Sequence, residues 1–175
     1  MKKILVLSLA LALAGCDEAG GGAQAPAKVV TSGKTEVPVA ELPQGVLAAA
    51  TAARAGFTPS EAESETREGR RYFDVEGTLP DGSEIEFDIM EENGRWRVVE
   101  TQRDIAFTAA PQAIRDTAAK ADAAFAPTRV IESTQADGVV IYELFGPAGG
   151  DPQGRKLEVK WDGKSAELLT KEWAH

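Results

Sequence analysis

Alternation of apolar and charged residues is the dominant pattern in the middle of the chain. Half-buried strands are predicted where apolar side chains occupy every second position, at 61–67 (weakly), 72–79, 84–90 and 95–101. Asp81-Gly82 and Asn93-Gly94 separate neighbouring strands and favour tight hairpins. The pattern predicts an antiparallel meander, because the strands follow one another with only short turns between them.

The apolar period changes to that of a helix at about 42–55 and again at about 110–124. The apolar stripes of these helices are Leu42, Val46, Ala49 and Ala53 in the first and Ile114, Ala118, Ala121 and Phe125 in the second. Pro43 and Pro111 suit the first turn of each helix. Because the stripes are rich in alanine, both helices can pack closely on a broad surface such as a sheet.

The two helices belong to an internal repeat. Residues 42–46 resemble 110–114 at an offset of 68, and at larger offsets Tyr72 matches Tyr142 and 85–87 match 157–159. The fold class expected is therefore α+β, with two tandem repeats at 37–105 and 106–175, each one helix packed on a four-stranded antiparallel sheet. In the second repeat a turn is predicted at 152–154. The strand at 139–145 is apolar on both faces, which leaves its inner side unassigned.

The N-terminus has the pattern of a bacterial export signal. Lys2 and Lys3 precede an apolar run at 4–13, which is too short to span about 30 Å of hydrocarbon. The sequence Leu13-Ala14-Gly15-Cys16 then resembles the bacterial lipobox. The resemblance implies that 1–16 is a lipoprotein signal peptide ending in the lipobox cysteine, and that Cys16 carries the acyl chains that anchor the protein.

A flexible tether is predicted at 17–36, because this segment is rich in glycine, alanine and charge and has no apolar period. The expected location is the bacterial cell envelope, with the body lipid-anchored and facing the periplasm. Asp17 resembles the residue that retains lipoproteins in the inner membrane of enteric bacteria, which slightly favours that membrane.

Several features of the repeats also resemble a known group of domains. Each repeat has a helix with a proline near its start, and an aromatic-x-Pro sequence where the chain leaves the helix. A glycine turn then precedes a strand that contains a tyrosine, and a second glycine turn precedes a strand in which glutamate and apolar residues alternate. These are similar to the PepSY-like domains of secreted bacterial proteins, and in tandem they resemble the β-lactamase-inhibitor-like group. The resemblance covers about 37–175 and implies a small extracytoplasmic binding or inhibitory module, with no catalytic residue to carry over.

Composition narrows the chemistry further. The chain has 19 basic and 28 acidic residues, a net charge of −9, which gives no electrostatic footprint for nucleic acid. One cysteine and one histidine exclude an internal disulfide and a Cys/His zinc site. No nucleophile elbow, phosphate loop or dinucleotide fingerprint is present, so no catalytic residue and no cofactor is expected.

The charge is uneven: residues 37–105 hold 7 basic and 15 acidic residues, whereas 106–175 hold 8 and 10. Alternation predicts one polar sheet face, made of Tyr72, Asp74, Glu76, Glu84, Glu86, Asp88, Arg95 and Arg97. One interpretation is cross-strand ion pairing on a solvated face. Another is a recognition face for a basic partner with Tyr72 as its aromatic anchor. Calcium binding is a third, but no metal is expected, because carboxylates alternating along a flat strand converge poorly.

These patterns together predict a non-enzymatic lipoprotein that binds or inhibits an envelope protein, of which a protease is one example. Two alternatives stay open. One is a lipoprotein that senses a small molecule or envelope stress, and the other is a hydrolase of an envelope polymer that works through Glu84, Glu86 and Asp88.

Overall fold

A single antiparallel sheet of nine strands, in the order β1 to β9, dominates the structure. The computed structural model describes residues 33–148 and 151–173. The strands are β1 (Thr35–Glu36), β2 (Thr58–Arg67), β3 (Arg70–Thr78), β4 (Glu84–Glu92), β5 (Arg95–Ile105), β6 (Arg129–Gln135), β7 (Val140–Ala148), β8 (Asp151–Trp161) and β9 (Ala166–Leu168). The predicted signal peptide, Cys16 and most of the tether lie outside the described residues.

The two helices are α1 (Gln44–Ala53) and α2 (Gln112–Ala121). Each follows a proline, as predicted, and each is shorter than its apolar pattern suggested. A 3-10 turn precedes each helix, at Val39–Glu41 and Phe107–Ala109. Neither helix in the described ranges is long and apolar enough to cross a membrane.

The predicted fold class, an α+β protein with two tandem repeats that each have their own four-stranded sheet, is wrong. β5 pairs with β6 over six positions, from Glu100 opposite Gln135 to Ile105 opposite Val130, so one sheet runs through the whole body. Edge strands expose unpaired backbone N–H and C=O groups, and joining two edges satisfies both of them. The sheet gains its ninth strand from β1, which lies in the segment predicted to be tether.

Both helices pack on the same face of this sheet. α1 buries Val46 and Ala50 in a core with Val75, Phe87 and Ile89. The core under α2 consists of Ala110, Ile114, Ala118, Val130, Tyr142, Leu144 and Val159. Each large apolar side chain buried in this way stabilises the fold by about 1.5–3 kcal/mol. We call the opposite side of the sheet the open face, because no helix of the described residues lies on it.

Glycine turns connect several of the strands, as the sequence predicts. Asn93 and Gly94 have φ angles of 53° and 72°, which is the geometry of a two-residue hairpin turn. The turn predicted at 152–154 is wrong, because these residues lie within β8. Gly154 has a φ of 74° there, opposite an irregular stretch of pairing between Gly146 and Ala148.

Structure also corrects the alignment of the two halves. Gly77 in β3 and Gly146 in β7 occupy matching positions, because a Cβ on either would fall within 2.7 Å of a phenylalanine ring. Their offset is 69, whereas the match of Tyr72 to Tyr142 assumed 70. Because side chains alternate between faces, a shift of one residue changes the face. Tyr142 therefore lies in the core under α2, and Tyr72 lies on the open face.

Candidate functional site

A row of five carboxylates crosses the open face. Glu36, Glu63, Asp74, Asp88 and Glu100 are directly paired from strand to strand across β1 to β5. We call this row the acid ladder. Adjacent strands are about 4.8 Å apart, and like charges directly opposite each other destabilise a sheet. The ladder therefore concentrates negative charge that the rest of the fold has to stabilise.

The centre of the acid ladder is buried rather than solvated. Asp74, Asp88 and Glu100 are only 6%, 5% and 5% exposed. Burial and the carboxylates of Asp88 and Asp74 raise the pKa of Glu86, which lies beside the ladder, to about 8. Burial, Asp74 and Glu100 also raise the pKa of Asp88 well above its usual range. The ladder accordingly attracts protons or other cations more strongly than exposed carboxylates do.

Two cationic side chains reach the ladder from the β1 and β2 edge. Lys34 Nζ lies 2.6 Å from Asp74 Oδ2 and 3.5 Å from Glu63 Oε2. Arg67 Nε lies 2.6 Å from Glu65 Oε1, and its Nη2 lies 4.0 Å from Asp88 Oδ2. Lys34 comes from outside the strands that carry the buried carboxylates, so its position depends on the edge of the sheet.

An apolar cluster borders the acid ladder on the same face. Tyr72, Met90 and Val99 are 2%, 5% and 6% exposed and pack together. The Arg67 guanidinium carbon lies 4.2 Å from the centroid of the Tyr72 ring, which is within the range of a cation–π contact. The aromatic ring predicted as an anchor therefore lies beside the charged row, but it is buried under Arg67 rather than exposed to a partner.

Strand register places the eight predicted site residues on the open face. Asp74 is opposite Asp88, and Glu76 is opposite Glu86. One carboxylate oxygen from each of Asp74, Glu86 and Asp88 lies within 4.8 Å of the others. Burial and the charges of Glu61 and Glu84 raise the pKa of Glu76. Five of the eight predicted residues thus meet in one strongly acidic zone that includes Tyr72.

The other three predicted residues do not join this zone. Arg97 pairs with Glu92 in its own hairpin, at 3.0 Å and half exposed, rather than with Asp88 or Glu86. Arg95 and Glu84 are exposed at strand ends. Arg95 and Arg97 were expected to form ion pairs with the central carboxylates. The strand register does not bring them together.

Sequence reasoning missed several residues of the open face: Lys34, Glu63, Glu65, Arg67, Glu100, Glu143, Lys156 and Glu158. A signal existed for some of them, because glutamates recur at every second position from 61 to 65. Lys34 had no such signal, since its contact depends on β1 joining the sheet edge. Lys156 and Glu158 alternate in β8, but their contacts with Glu143 depend on the pairing of β7 with β8.

The second half of the open face has a smaller acidic group that is fully engaged by one lysine. Lys156 Nζ lies 3.3 Å from Glu143, 2.6 Å from Glu158 and 2.7 Å from Glu172. The Trp173 backbone N–H also donates to Glu158 Oε2 at 2.7 Å. This lysine lies within β8, so a cation of the sheet itself bridges the three carboxylates and offsets part of their charge.

Asp74, Glu86 and Asp88 are also the described residues best placed to hold a metal ion. Carboxylate oxygens are the ligands that Ca²⁺ and Mg²⁺ prefer, although Ca²⁺ takes 6 to 8 oxygens. Carboxylates on a flat strand are expected to converge poorly, but these three side chains do converge. Lys34 Nζ already lies against Asp74, so a metal ion would have to compete with an ammonium group.

A groove of about 610 Å³ lies on the helix face, away from the acid ladder. It is lined by Arg54, Leu79, Gly82, Ser83, Glu84, Ile85, Thr101, Arg103, Asp104, Ile105, Glu132 and Thr134. Arg103 Nη2 and Glu132 Oε1 form an ion pair of 2.6 Å there. The groove is therefore a charged space between the two helix-covered halves, separate from the open face.

The chemistry of the open face is that of a surface for cations and hydrogen-bond donors. It combines buried carboxylates, a neighbouring aromatic ring and lysine or arginine side chains that already occupy part of it. No model of a known protein family matches this sequence, and a search of curated proteins finds no significant match.

Proposed function

We propose that this chain is a lipid-anchored lipoprotein of the bacterial cell envelope that binds another protein through its open face. The binding module is non-enzymatic and can act as an inhibitor of its partner, with a protease as one partner class. Cys16 is the proposed site of the anchor, and the segment before β1 holds the sheet away from the membrane. The resemblance of sequence motifs in 37–175 to PepSY-like domains implies the same kind of binding module.

One observation carries the proposal: a nine-stranded sheet has helices on one face and a concentrated row of carboxylates on the other. Like charges in register are costly for a sheet, so their presence calls for a stabilising contribution. A partner with complementary charge offers that contribution and gains specificity from it. Tyr72 is itself buried and supports the open face from within, under the Arg67 guanidinium.

Site-specific photocrosslinking in cells tests the proposal. A benzophenone amino acid replaces Arg97, which is exposed on the open face, or Arg54, which lines the groove on the helix face. We expect a protein adduct from position 97 and none from position 54. The protein is the full acylated chain, and loss of palmitate labelling in Cys16→Ser checks the anchor.

The outcomes separate the candidate functions. A protein adduct from position 54 alone would contradict binding through the open face. An adduct of small mass at position 54 would instead support the second candidate, a small-molecule sensor, which is favoured by the groove on the helix face. Labelling that persists in Cys16→Ser would overturn the anchor without affecting the binding surface.

A further inference from the structure

The acid ladder already holds an ammonium group. Lys34 Nζ contacts Asp74 and Glu63, and Glu86 lies close enough to attract Lys34 when it is ionised. Burial opposes the charge on Lys34, but the attraction of these carboxylates outweighs it and raises the pKa of Lys34. Lys34 therefore shows which kind of group the ladder stabilises: a cation that donates hydrogen bonds.

One ammonium does not saturate this site. Asp74 Oδ1 and Glu65 Oε2 are buried and accept no hydrogen bond from the part of the chain that the structure describes. Glu86 forms no hydrogen bond or ion pair with the residues that the structure describes, although its carboxylate lies within 4.8 Å of Asp74 and Asp88. Buried acceptors without donors are unfavourable, so a ligand that brings further N–H groups would be stabilised here.

The segment that carries Lys34 is joined to the sheet by few backbone hydrogen bonds, and its apolar contacts with the core come from Val37 and Val39, beyond β1. β1 is only two residues long, with Thr35 opposite Ser64 and Glu36 opposite Glu63. One further backbone hydrogen bond joins Val37 N–H to Ala62 O at 2.9 Å. The Lys34 side chain is 40% exposed. Short edge segments with exposed side chains open at low free-energy cost, so Lys34 can leave the ladder without unfolding the sheet.

We propose that the acid ladder binds a lysine or arginine side chain of the protein partner, and that Lys34 is an internal competitor which the partner displaces. This inference rests on the proposed function and names the chemistry of the partner. An arginine suits the site well, because its planar fork of N–H donors matches two carboxylate oxygens at once. The β1 segment then sets a threshold: only a partner that offers a better cation than Lys34 binds.

A labelled tetralysine peptide is the probe, and fluorescence anisotropy at low salt is the measurement. The protein is the full acylated chain in a non-ionic detergent, with circular dichroism to confirm that each variant folds. The variants are Lys34→Gln, Asp74→Asn and the matched control Lys164→Gln, which removes an exposed lysine from the turn before β9. Lys34→Gln and Lys164→Gln change the net charge equally.

We expect Lys34→Gln to bind the peptide about tenfold more tightly than the unmodified chain, a change equivalent to about 1.4 kcal/mol. Lys164→Gln should bind unchanged, and Asp74→Asn should bind about tenfold more weakly. Equal tightening in the two lysine variants would mean that only net charge matters and would overturn the inference.

Two further results would overturn the inference and leave the proposed function standing. If Lys34→Gln leaves peptide binding unchanged, Lys34 is not an internal competitor. Absence of peptide binding in every variant, together with a protein adduct from position 97, would mean that the open face recognises a partner of different chemistry. Calcium that binds Lys34→Gln and blocks the peptide would identify the ladder as a metal site and would also refute the proposal.

Discussion

The two halves of the open face stabilise their carboxylates in different ways. In the second half, Lys156 lies within β8 and contacts three glutamates, so part of their charge is offset by a cation that is fixed in the sheet. In the first half, five carboxylates stand in register. Arg67 at the end of β2 approaches Asp88, whereas Lys34, which precedes the two-residue strand β1, contacts Asp74 and Glu63. The cation of the second half is thus fixed within a strand, whereas one of the two cations of the first half comes from an edge segment and can be exchanged.

This difference separates a structural ion cluster from a candidate binding surface. Both halves bury carboxylates and both raise the pKa of at least one of them, Glu86 in the first and Glu143 in the second. Burial alone therefore does not mark the site. The informative feature is the origin of the cation that compensates the carboxylates. A cation fixed in the sheet cannot move away, so a partner's side chain cannot replace it.

The largest expected effect concerns the two lysines. Lys156→Met should lower the free energy of unfolding by about 2–3 kcal/mol, because it leaves the largely buried carboxylates of Glu143 and Glu158 without their cation. Lys34→Met should cost less than about 1 kcal/mol, because the side chain is well exposed and the segment is short. Urea denaturation at pH 7 measures both, with Lys164→Met as the control. Equal costs would mean that the first half needs its lysine as much as the second does.

Two isosteric substitutions should change the free energy of unfolding in opposite directions. Glu86→Gln removes a like charge from the first half and should stabilise the protein by about 1 kcal/mol at pH 9. Glu158→Gln weakens the contacts with Lys156 and Trp173 N–H and should destabilise it by about 1–2 kcal/mol. The midpoints of urea unfolding measure both changes. Destabilisation by Glu86→Gln would show that the ladder is already neutralised.

The smallest expected effect is the dependence of stability on pH. The pKa of Glu86 is about 8 in the folded protein and near 4.5 when unfolded, so the folded state binds a proton that the unfolded state releases. This stability is fully present below pH 4.5 and is lost as the pH rises through 8. We expect the free energy of unfolding to be about 1 kcal/mol lower at pH 9 than at pH 7.5. Glu86→Gln should flatten this profile, and a rise in stability with pH would contradict the assignment.

Much of the local structure could be predicted from the sequence, because periodicity and turn residues act over short distances. The helices after Pro43 and Pro111 and the hairpin at Asn93-Gly94 follow from such signals. Pairing of β5 with β6 could not be predicted, because nothing local distinguishes two edges that stay apart from two edges that join. The position of Tyr142 was misassigned by one residue, which is enough to reverse the face.

The candidate site was predictable only in part, for a similar reason. Alternation predicts that Asp74, Glu86 and Asp88 lie on one face. It does not predict that Asp74 and Asp88 are buried, or that they stand in one row with Glu100. Register is a property of strand pairs, and it decides which charges stand opposite each other. Lys34 was the hardest residue to foresee, because its segment looks like a linker and its role depends on contacts with β2 and β3.

The sequential order of the nine strands has a consequence for how the chain folds. Every strand pairs with its neighbour in the chain, so no strand has to wait for a distant segment before it joins the sheet. Chains rich in local contacts fold faster than chains of the same size with distant pairings. The sheet can thus grow from one hairpin to the next as the chain is delivered, and little apolar surface stays exposed while it does so.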